Sequence, residues 1–480
     1  MPGQQNMLHA HQLLPIPFDR MFAYCMESRI PVRDSELRRD CTSIPISYRV
    51  VATCLPNLFL EESKTHEEAL WTLLAVLIIA SVALTGCGTT TTVEEPETEE
   101  EMGTLTGTVT LWHAWKESEI VSLTEVIAAF NAMYPDVTVD VLYTPFDDLR
   151  NKFETAAATG SGPTVLIGGA DWGPGLYDAE LVADLTGQIG DDVIAGINPA
   201  AMGAVEYAGA LVGLPQTIKG VVMFRNTQIL PEAPTTYEEM VAMHNEVTEG
   251  DVVGVDLEYG FFFSAAHLNG VCGGELMTAD GDPTFNTPEG ECWMALFNTW
   301  EEDFGVVENY NDNDVNLFKS GNVGIIIDGS WNTSALAEAI GAENLAIDPF
   351  PTVGDGALSG YVQTENIYLS ANAEGDDLAA SIAFIEYFLS AEAQALLADP
   401  EGAAHLPAIV GLEITDPLMA QAAAAFEGGT AFPVIPEMNA YWDPMNNALL
   451  QVVQEDADIA TALQEAYDLV VAKVAEIRGE

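Results

Sequence analysis

The stretch TVTLWHAWKESEIVSLTEVIAAFNAMYPDVTVDVLY, residues 108–143, decides the fold class of this chain. Residues 108–112 are typical of a β-strand, residues 118–133 place apolar side chains at helical spacing, and residues 137–143 are again typical of a strand. Because strand, helix and strand alternate, the stretch predicts a parallel sheet covered by helices, which is the α/β class.

The same alternation continues further along the chain. Thr235 predicts a helix N-cap, and Glu238 completes a capping box with it. The sequence also predicts a buried strand over 163–167 after the turn Gly160-Ser161-Gly162, a helix with Thr287-Pro288 at its start, and helical segments over 378–397 and 459–478.

Composition limits the partners of the protein. The chain has 480 residues, 48% of them hydrophobic, which is enough for one large core or two or three domain-sized cores. It carries 15 Lys plus Arg against 74 Asp plus Glu, a formal net charge of −59. This balance excludes a nucleic-acid partner and adhesion to anionic lipid through a basic patch. The many acidic residues indicate a surface that keeps the protein soluble, or that suits salty or acidic surroundings. The alternative is that they bind cations.

An uncharged apolar run, ALWTLLAVLIIASVALTG at 69–86, ends at Cys87 and is followed by a polar, Glu-rich stretch. Its close, Leu84-Thr85-Gly86-Cys87, resembles the bacterial lipoprotein signal, in which the cysteine carries the lipid. An uncleaved membrane helix is the alternative. Residues 1–68 are then an upstream segment absent from the mature protein, and residues 88–103 are an acidic flexible linker that cannot form a core.

A family resemblance covers nearly all of the chain after this linker. The order of segments resembles that of the extracellular solute-binding proteins of bacterial ABC importers, in the family 1 subgroup that includes maltose-binding proteins. It is carried by VTLWHAW at 109–115, FNAMYPDVTVDV at 130–141, FDDLRNKFETAAATGSGPTVLIGGADWG at 146–173, LVADLT at 181–186, YAGALVGLPQTIKGVVMFRNTQIL at 207–230, PTTYEEM at 234–240, NLFKSGNVGIIIDGSWN at 316–332 and FIEYFLSAEAQALL at 384–397.

The resemblance implies a two-lobed clamp of the periplasmic-binding-protein type with a ligand cleft between the lobes. Lobe one is expected at 104–216 and 360–408 and lobe two at 220–356 and 415–480, with hinges near Thr217, Gly356 and Pro407. The implied function is capture of a carbohydrate, as an oligosaccharide, outside the membrane and its delivery to an ABC permease. The protein is expected to be a lipid-anchored monomer without a cofactor, a metal or catalytic residues.

A sugar site needs flat aromatic platforms and paired polar groups, because a sugar has weakly apolar faces and a rim of hydroxyls. Five tryptophans fall at strand ends or in loops bounded by Gly or Pro, where the lobes of such a clamp face each other. Ordinary core packing is the alternative for each of them. The five are Trp112, Trp115, Trp172, Trp331 and Trp442.

The resemblance also assigns polar residues to the cleft. The loop GGADW at 168–172 matches the family segment that supplies an acidic acceptor for a ligand hydroxyl, which here is Asp171, and the segments ending in Trp331 and Trp442 match those that stack a sugar ring. Arg150 and Lys219 fall at cleft positions too, although a surface salt bridge is the alternative for each. Cationic donors there suit a hydroxyl-rich sugar or one with a single carboxylate.

Other functions have less support. With so many acids, a pair of carboxylates within reach is expected by chance, so a secreted carbohydrate-active enzyme is the weaker alternative, as is a binder of another small solute such as a cation. The histidines after Cys87 lack the HExxH spacing, and no GxSxG motif is present. Cys272 and Cys292, 20 residues apart, predict a disulfide in an exported protein, the alternative being two buried thiols.

Overall fold

The computed structural model of the chain describes residues 104–305 and 313–480. The upstream segment at 1–68, the apolar run with Cys87 and the acidic linker at 88–103 lie outside these residues. The expectations about export and lipid attachment therefore stay predictions.

The first part of the described chain is the strand and helix alternation that residues 108–143 predict. Strand β1 pairs in parallel with both β2 and β3, which confirms the parallel α/β arrangement. Its elements are β1 (Gly107–His113), α1 (Ser118–Met133), β2 (Val137–Tyr143), α2 (Phe146–Ala157), β3 (Val165–Gly169), α3 (Trp172–Asp178), α4 (Asp191–Gly196), α5 (Pro199–Met202), β4 (Glu206–Tyr207) and β5 (Ala210–Leu211).

The middle part starts with a strand of 13 residues, which is the longest strand described. Its elements are β6 (Leu214–Asn226), α6 (Tyr237–Val247), β7 (Val253–Val255), α7 (Phe261–Ser264), α8 (Ala266–Gly270), α9 (Pro288–Phe304), α10 (Asn313–Lys319), β8 (Val323–Gly329), α11 (Thr333–Ile340), β9 (Leu345–Asp348), β10 (Thr352–Val353) and β11 (Gly356–Ala357). Two 3-10 turns, Ser330–Asn332 and Ala342–Asn344, flank α11.

The last part returns to the first sheet and ends in two long helices. Its elements are β12 (Tyr361–Leu369), α12 (Gly375–Phe388), α13 (Ala391–Leu397), β13 (Leu406–Pro407), α14 (Pro417–Phe426), β14 (Thr430–Ala431), α15 (Trp442–Gln454) and α16 (Ile459–Arg478), with a 3-10 turn at Pro436–Ala440 before α15.

Ten of the described strands form one connected sheet whose main path is β2-β1-β3-β12-β6-β8-β7. The long strand β6 joins its two halves. Residues 214–220 of β6 pair antiparallel with β12, and residues 221–226 pair antiparallel with β8 and β9. The sheet is therefore mixed, with antiparallel pairing at the strands that run from one half to the other.

Buried apolar side chains of the described residues form four clusters, two of them in each lobe. Lobe one is built on β1 to β3 with α1, α2, α12 and α13, and lobe two on β7 to β9 with α6 to α11 and α14 to α16. Strands β6 and β12 serve both, since Leu214 and Ile367 are in the core of lobe one and Val221 and Tyr361 are in that of lobe two.

The lobe boundaries and hinges given above stay predictions. At the expected hinges, Thr217 of β6 pairs with Pro407 of β13, so two of the three segments meet side by side. Gly356 lies in the short β10–β11 hairpin, and the strand that continues into lobe one begins at Tyr361.

The cap of α6 differs from the predicted one by one residue. Thr236, not Thr235, is the N-cap, and its hydroxyl accepts the backbone N–H of Glu239 at 3.2 Å. The Glu239 carboxylate in turn accepts the N–H and the hydroxyl of Thr235. The sequence TTYEE contains the T-x-x-E pattern in two registers, and the extended backbone at Thr236 selects the second.

The helical segment expected over 378–397 is two helices, α12 and α13, which meet at an angle of 67°. Ser390 lies between them with an extended backbone and caps α13 by accepting the N–H of Ala393. No single helix among the described residues has the length and apolar composition to cross a membrane. Helices α12 and α13 together have that length and composition, but they are bent at Ser390. Phe384, Phe388 and Leu397 of this pair lie in the core of lobe one.

Lobe two contains the disulfide that the cysteine spacing predicts. Cys272 and Cys292 are bonded, with their Cα atoms 6.0 Å apart, which joins the segment after α8 to the first turns of α9. The alternative of two buried thiols is wrong.

Candidate functional site

A buried ionic network lies where β6, β12 and the segment before β13 meet the start of α1. The Lys219 ammonium is 3.0 Å from a carboxylate oxygen of Glu365 and 3.3 Å from one of Glu119. Glu119 also contacts His405 Nε2 at 2.9 Å, and the indole of Trp115 donates to Glu365 at 2.7 Å. The network links residues far apart in sequence at the strands shared by the two lobes.

Charge pairing in this network controls the protonation states of its members. Burial opposes ionisation of Glu119, but the Lys219 ammonium and the hydrogen bond with His405 outweigh it and hold the pKa of Glu119 at about 2. Burial lowers the pKa of His405, and the nearby Lys219 lowers it further. At neutral pH the network therefore holds ionised Glu119 and a neutral His405.

Two residues predicted for the ligand site are instead committed to this network. Trp115 is 1% exposed, with the His405 ring 4.8 Å away edge-on and Lys219 over its face. The ammonium of Lys219, which is 7% exposed, is occupied by two carboxylates. Trp115 and Lys219 are therefore both buried and already have partners, and their assignment to the ligand site stays a prediction. Lys219 does still line a narrow pocket between Trp331 and His405.

Asp171 and Arg150 lie on the lobe-one side, beside the 3-10 turn that precedes α15 of lobe two. Asp171 follows β3 and is 3% exposed; among the described residues its Oδ2 has no hydrogen-bond partner, while the indole of Trp442 reaches the same carboxyl group. Arg150 Nε donates to Glu154 at 2.9 Å, and its Nη1 donates to the side chain of Asn439. Polar groups of both lobes therefore meet here.

The environment of Asp171 makes its carboxyl group unusual. Burial raises its pKa to about 6, although the Arg150 guanidinium and the hydrogen bond from Trp442 act in the opposite direction. A buried carboxyl group with one unpartnered oxygen can accept a hydrogen bond from a ligand hydroxyl, or donate one when it is protonated.

Three partly exposed aromatic rings of lobe two form what we call the aromatic wall: Phe262, Trp331 and Trp442. The Phe262 ring lies 6.3 Å from that of Trp442, nearly parallel at 18°, and 6.2 Å from that of Trp331. The Trp331 ring covers Gly329, where an added Cβ would lie 2.0 Å from the ring. Flat apolar faces of this kind suit stacking against a sugar ring.

The remaining predicted tryptophans are in lobe one and are more deeply buried. Trp172 is 4% exposed, and its ring covers Gly168, where a Cβ would lie 2.2 Å from the ring. Trp112 is capped by Lys152, whose ammonium is 4.9 Å from the ring centre. Of the eight predicted site residues, the structure brings Asp171 together with Arg150 and Trp442, and it places Trp331 on the same aromatic wall as Trp442.

Several residues of the site were not predicted from the sequence. Phe262 belongs to the run Phe261-Phe262-Phe263 after Gly260, a signal that could have been used. Asn439 contacts Arg150 from the other lobe without any local signal. Glu119, Glu365 and His405 are separated by more than 30 residues from one another, so no spacing pattern connects them.

The comparisons with known proteins agree with this geometry. Residues 125–465 match the family described as bacterial extracellular solute-binding protein. The chain belongs to this family. As a solute-binding protein it is a member of a group of extracellular binding proteins, and neither the family nor the relatives below are named as enzymes.

Two relatives of this solute-binding protein are named for oligosaccharides. It is 25% identical over 383 residues to the maltotriose-binding protein of Pyrococcus abyssi, covering 76% of this chain and 82% of the relative. It is 25% identical over 375 residues to the galactooligosaccharide-binding protein of Bacillus subtilis, covering 74% and 87%. A maltodextrin-binding domain from Bdellovibrio bacteriovorus, solved with bound maltotriose, has a TM-score of 0.71 at 22% identity and covers 76% of this chain and 99% of its own. This likeness confirms the two-lobed fold.

Proposed function

We propose that this solute-binding protein captures an oligosaccharide between its lobes and delivers it to an ABC permease. The observation that carries the proposal is the meeting of Asp171 with Trp442: the indole of Trp442, one ring of the aromatic wall of lobe two, reaches a buried lobe-one carboxyl group whose Oδ2 has no hydrogen-bond partner among the described residues. A hydroxyl acceptor beside aromatic rings is what recognition of a sugar ring needs.

The names of the relatives support a carbohydrate over other solutes. One is a maltotriose-binding protein and another a galactooligosaccharide-binding protein, so the two differ in sugar but agree in class. The cationic-solute alternative has less support at the site itself, because Arg150 lies within the electrostatic reach of Asp171 and opposes a second positive charge there.

Capture and release then follow from the two-lobed architecture. Contacts between Arg150 and Asn439 and between Asp171 and Trp442 exist only when the lobes are close together. A ligand that stacks on one lobe and hydrogen-bonds to the other stabilises that closed arrangement. Micromolar affinity, about −8 kcal/mol, is sufficient for capture and permits release to the permease. Lipid attachment at Cys87 would keep the protein at the membrane surface.

The test is calorimetric titration of the exported part, residues 88–480, with maltodextrins, galactooligosaccharides and a cationic solute such as spermidine. The proposal expects a sugar series to bind and to be recovered intact. Hydrolysis of the sugar would support the enzyme alternative, and binding of spermidine alone would overturn the carbohydrate assignment.

Replacement of Trp331 by alanine provides a residue-level test. We expect it to weaken binding of the sugar found above by at least about tenfold, because a stacking face is lost without opening a core cavity. Leu469→Ala, at a position 52% exposed on α16, is the matched control and should leave binding unchanged. A lower melting temperature with no change in affinity would show that Trp331 acts only as a core residue.

A further inference from the structure

Two exposed aromatic rings lie at the rim of lobe one, outside the aromatic wall. Tyr143 ends strand β2 and is 42% exposed, and Phe146 starts helix α2 and is 44% exposed. Large aromatic side chains are usually more deeply buried, so two at one sheet edge need an explanation.

Of these two rings, Phe146 is continuous with the candidate site. The Phe146 ring centre is 5.0 Å from that of Trp172, and the planes are tilted by 37°. Trp172 directly follows Asp171, and Arg150, one turn after Phe146 on α2, contacts Asn439 of lobe two. Exposure rises from Asp171 and Trp172, both nearly buried, to Phe146 at the rim.

The chemistry along this path changes in a way that suits a linear ligand. The inner end offers a carboxyl oxygen, a guanidinium and indole rings, which can surround a sugar ring on several sides. At the rim, the exposed ring of Phe146 packs against Trp172 on one side and leaves its other face open. Tyr143 lies three residues before it in the sequence. An open face can stack on one side of a ring that is otherwise solvated.

We propose that Phe146 forms an outer subsite that stacks one additional ring of a linear oligosaccharide projecting from the cleft. The inference rests on the proposed function and extends it to ligand length. The protein then prefers chains long enough to reach the rim, and a disaccharide held at Asp171 and the aromatic wall does not use Phe146.

The experiment measures the affinities of maltodextrins and galactooligosaccharides from disaccharide to hexasaccharide, for the wild-type protein, Phe146→Ala, Phe146→Trp and Leu469→Ala. For the wild type we expect affinity to rise by about tenfold once the chain reaches the rim. Phe146→Ala should lose this rise and keep the affinity for the shortest ligand that binds. Phe146→Trp should restore the rise, and Leu469→Ala should behave as the wild type.

The outcomes separate the subsite from the function on which it rests. If the wild type binds neither series, the proposed function fails and the subsite with it. If the wild type binds but Phe146→Ala keeps the full dependence on length, the subsite alone is overturned. An equal loss at every length also overturns it, because Phe146 would then act by supporting Trp172; the melting temperature of each variant identifies that case.

Discussion

At the scale of single residues, Asp171 combines a functional position with a cost in stability. Its pKa is about 6 in the folded protein against an ordinary value of 3.8, and burial is the main cause. Between these two pH values the folded state binds more protons than the unfolded state, so the contribution of Asp171 to stability falls as pH rises and is fully unfavourable above about pH 6. A binding protein tolerates such a cost where a ligand needs the carboxyl group.

Asp171→Asn should therefore stabilise the protein at neutral pH and impair binding. At pH 7.5 we expect the free energy of unfolding to rise by about 2–3 kcal/mol, since the amide needs no ionisation, and the gain should vanish near pH 4. Urea unfolding across this range measures it, with Asp191→Asn at an exposed position of α4 as the control. A stabilisation that does not depend on pH would contradict the assigned ionisation.

Lys219 contributes to stability through buried ion pairs. Its ammonium neutralises two buried carboxylates at the strands shared by the lobes. Lys219→Met should destabilise the protein by about 3–5 kcal/mol, because it removes the lysine cation that pairs with the buried carboxyl groups of Glu119 and Glu365.

The matched control for Lys219 is Lys473→Met, which removes the exposed ion pair with Asp443 and should change the free energy of unfolding by less than about 0.5 kcal/mol. Adding Glu119→Gln to Lys219→Met should recover part of the loss. Equal effects of the two lysine substitutions would mean that the network contributes no more than a surface pair.

At the scale of elements, short-range side-chain choices set where helices begin and bend. Ser390 divides the expected helix at 378–397 into α12 and α13, and Thr236 rather than Thr235 starts α6. In both cases a hydroxyl accepts the backbone N–H three residues later, so one unsatisfied donor of the first turn is paired.

Thr236→Ala should cost about 1 kcal/mol of stability, the usual value for a lost N-cap. Thr235→Ala is the paired comparison and should cost less, because Thr235 only donates to the Glu239 carboxylate. Urea unfolding of the two variants measures the difference. A larger loss for Thr235→Ala would place the cap in the other register.

At the scale of the whole molecule, the charge balance is the dominant feature. Seven of the 15 basic and nine of the 74 acidic residues precede residue 88, which leaves 8 basic against 65 acidic residues in 88–480. In the described structure all eight are engaged: Lys116, Arg150, Lys152, Lys219, Arg225, Lys319, Lys473 and Arg478. The remaining surface charge is therefore almost wholly negative, and its self-repulsion opposes compaction.

Raising the salt concentration should raise the melting temperature, because salt screens this repulsion over a Debye length of about 8 Å at 0.15 M. Sugar affinity should change little between about 0.05 M and about 1 M sodium chloride, since stacking and hydrogen bonds to a neutral ligand are weakly screened. Differential scanning calorimetry and titration at both concentrations test this. A fall in affinity of about a hundredfold or more would favour a cationic ligand.

The sequence by itself determined the fold class, most element positions and the disulfide. Helices α1 and α16 and strand β2 have the expected bounds, because their side-chain periodicity is set by local geometry. The candidate site was predicted in part: Asp171, Arg150, Trp331 and Trp442 carry a recognisable family pattern. Trp115 and Lys219 share that pattern yet are buried in the ionic network.

Only the tertiary structure decided which of these predicted residues are buried in the ionic network. Glu119, Lys219, Glu365 and His405 come from four distant segments, and their contacts depend on the pairing of β6 with β12 and β13. The pairing of Arg150 with Asn439 likewise depends on how α2 of lobe one meets the turn before α15. Burial and partner choice are properties of the folded surface, so a local pattern indicates which residues can bind a sugar, and long-range packing decides which of them are left open to do so.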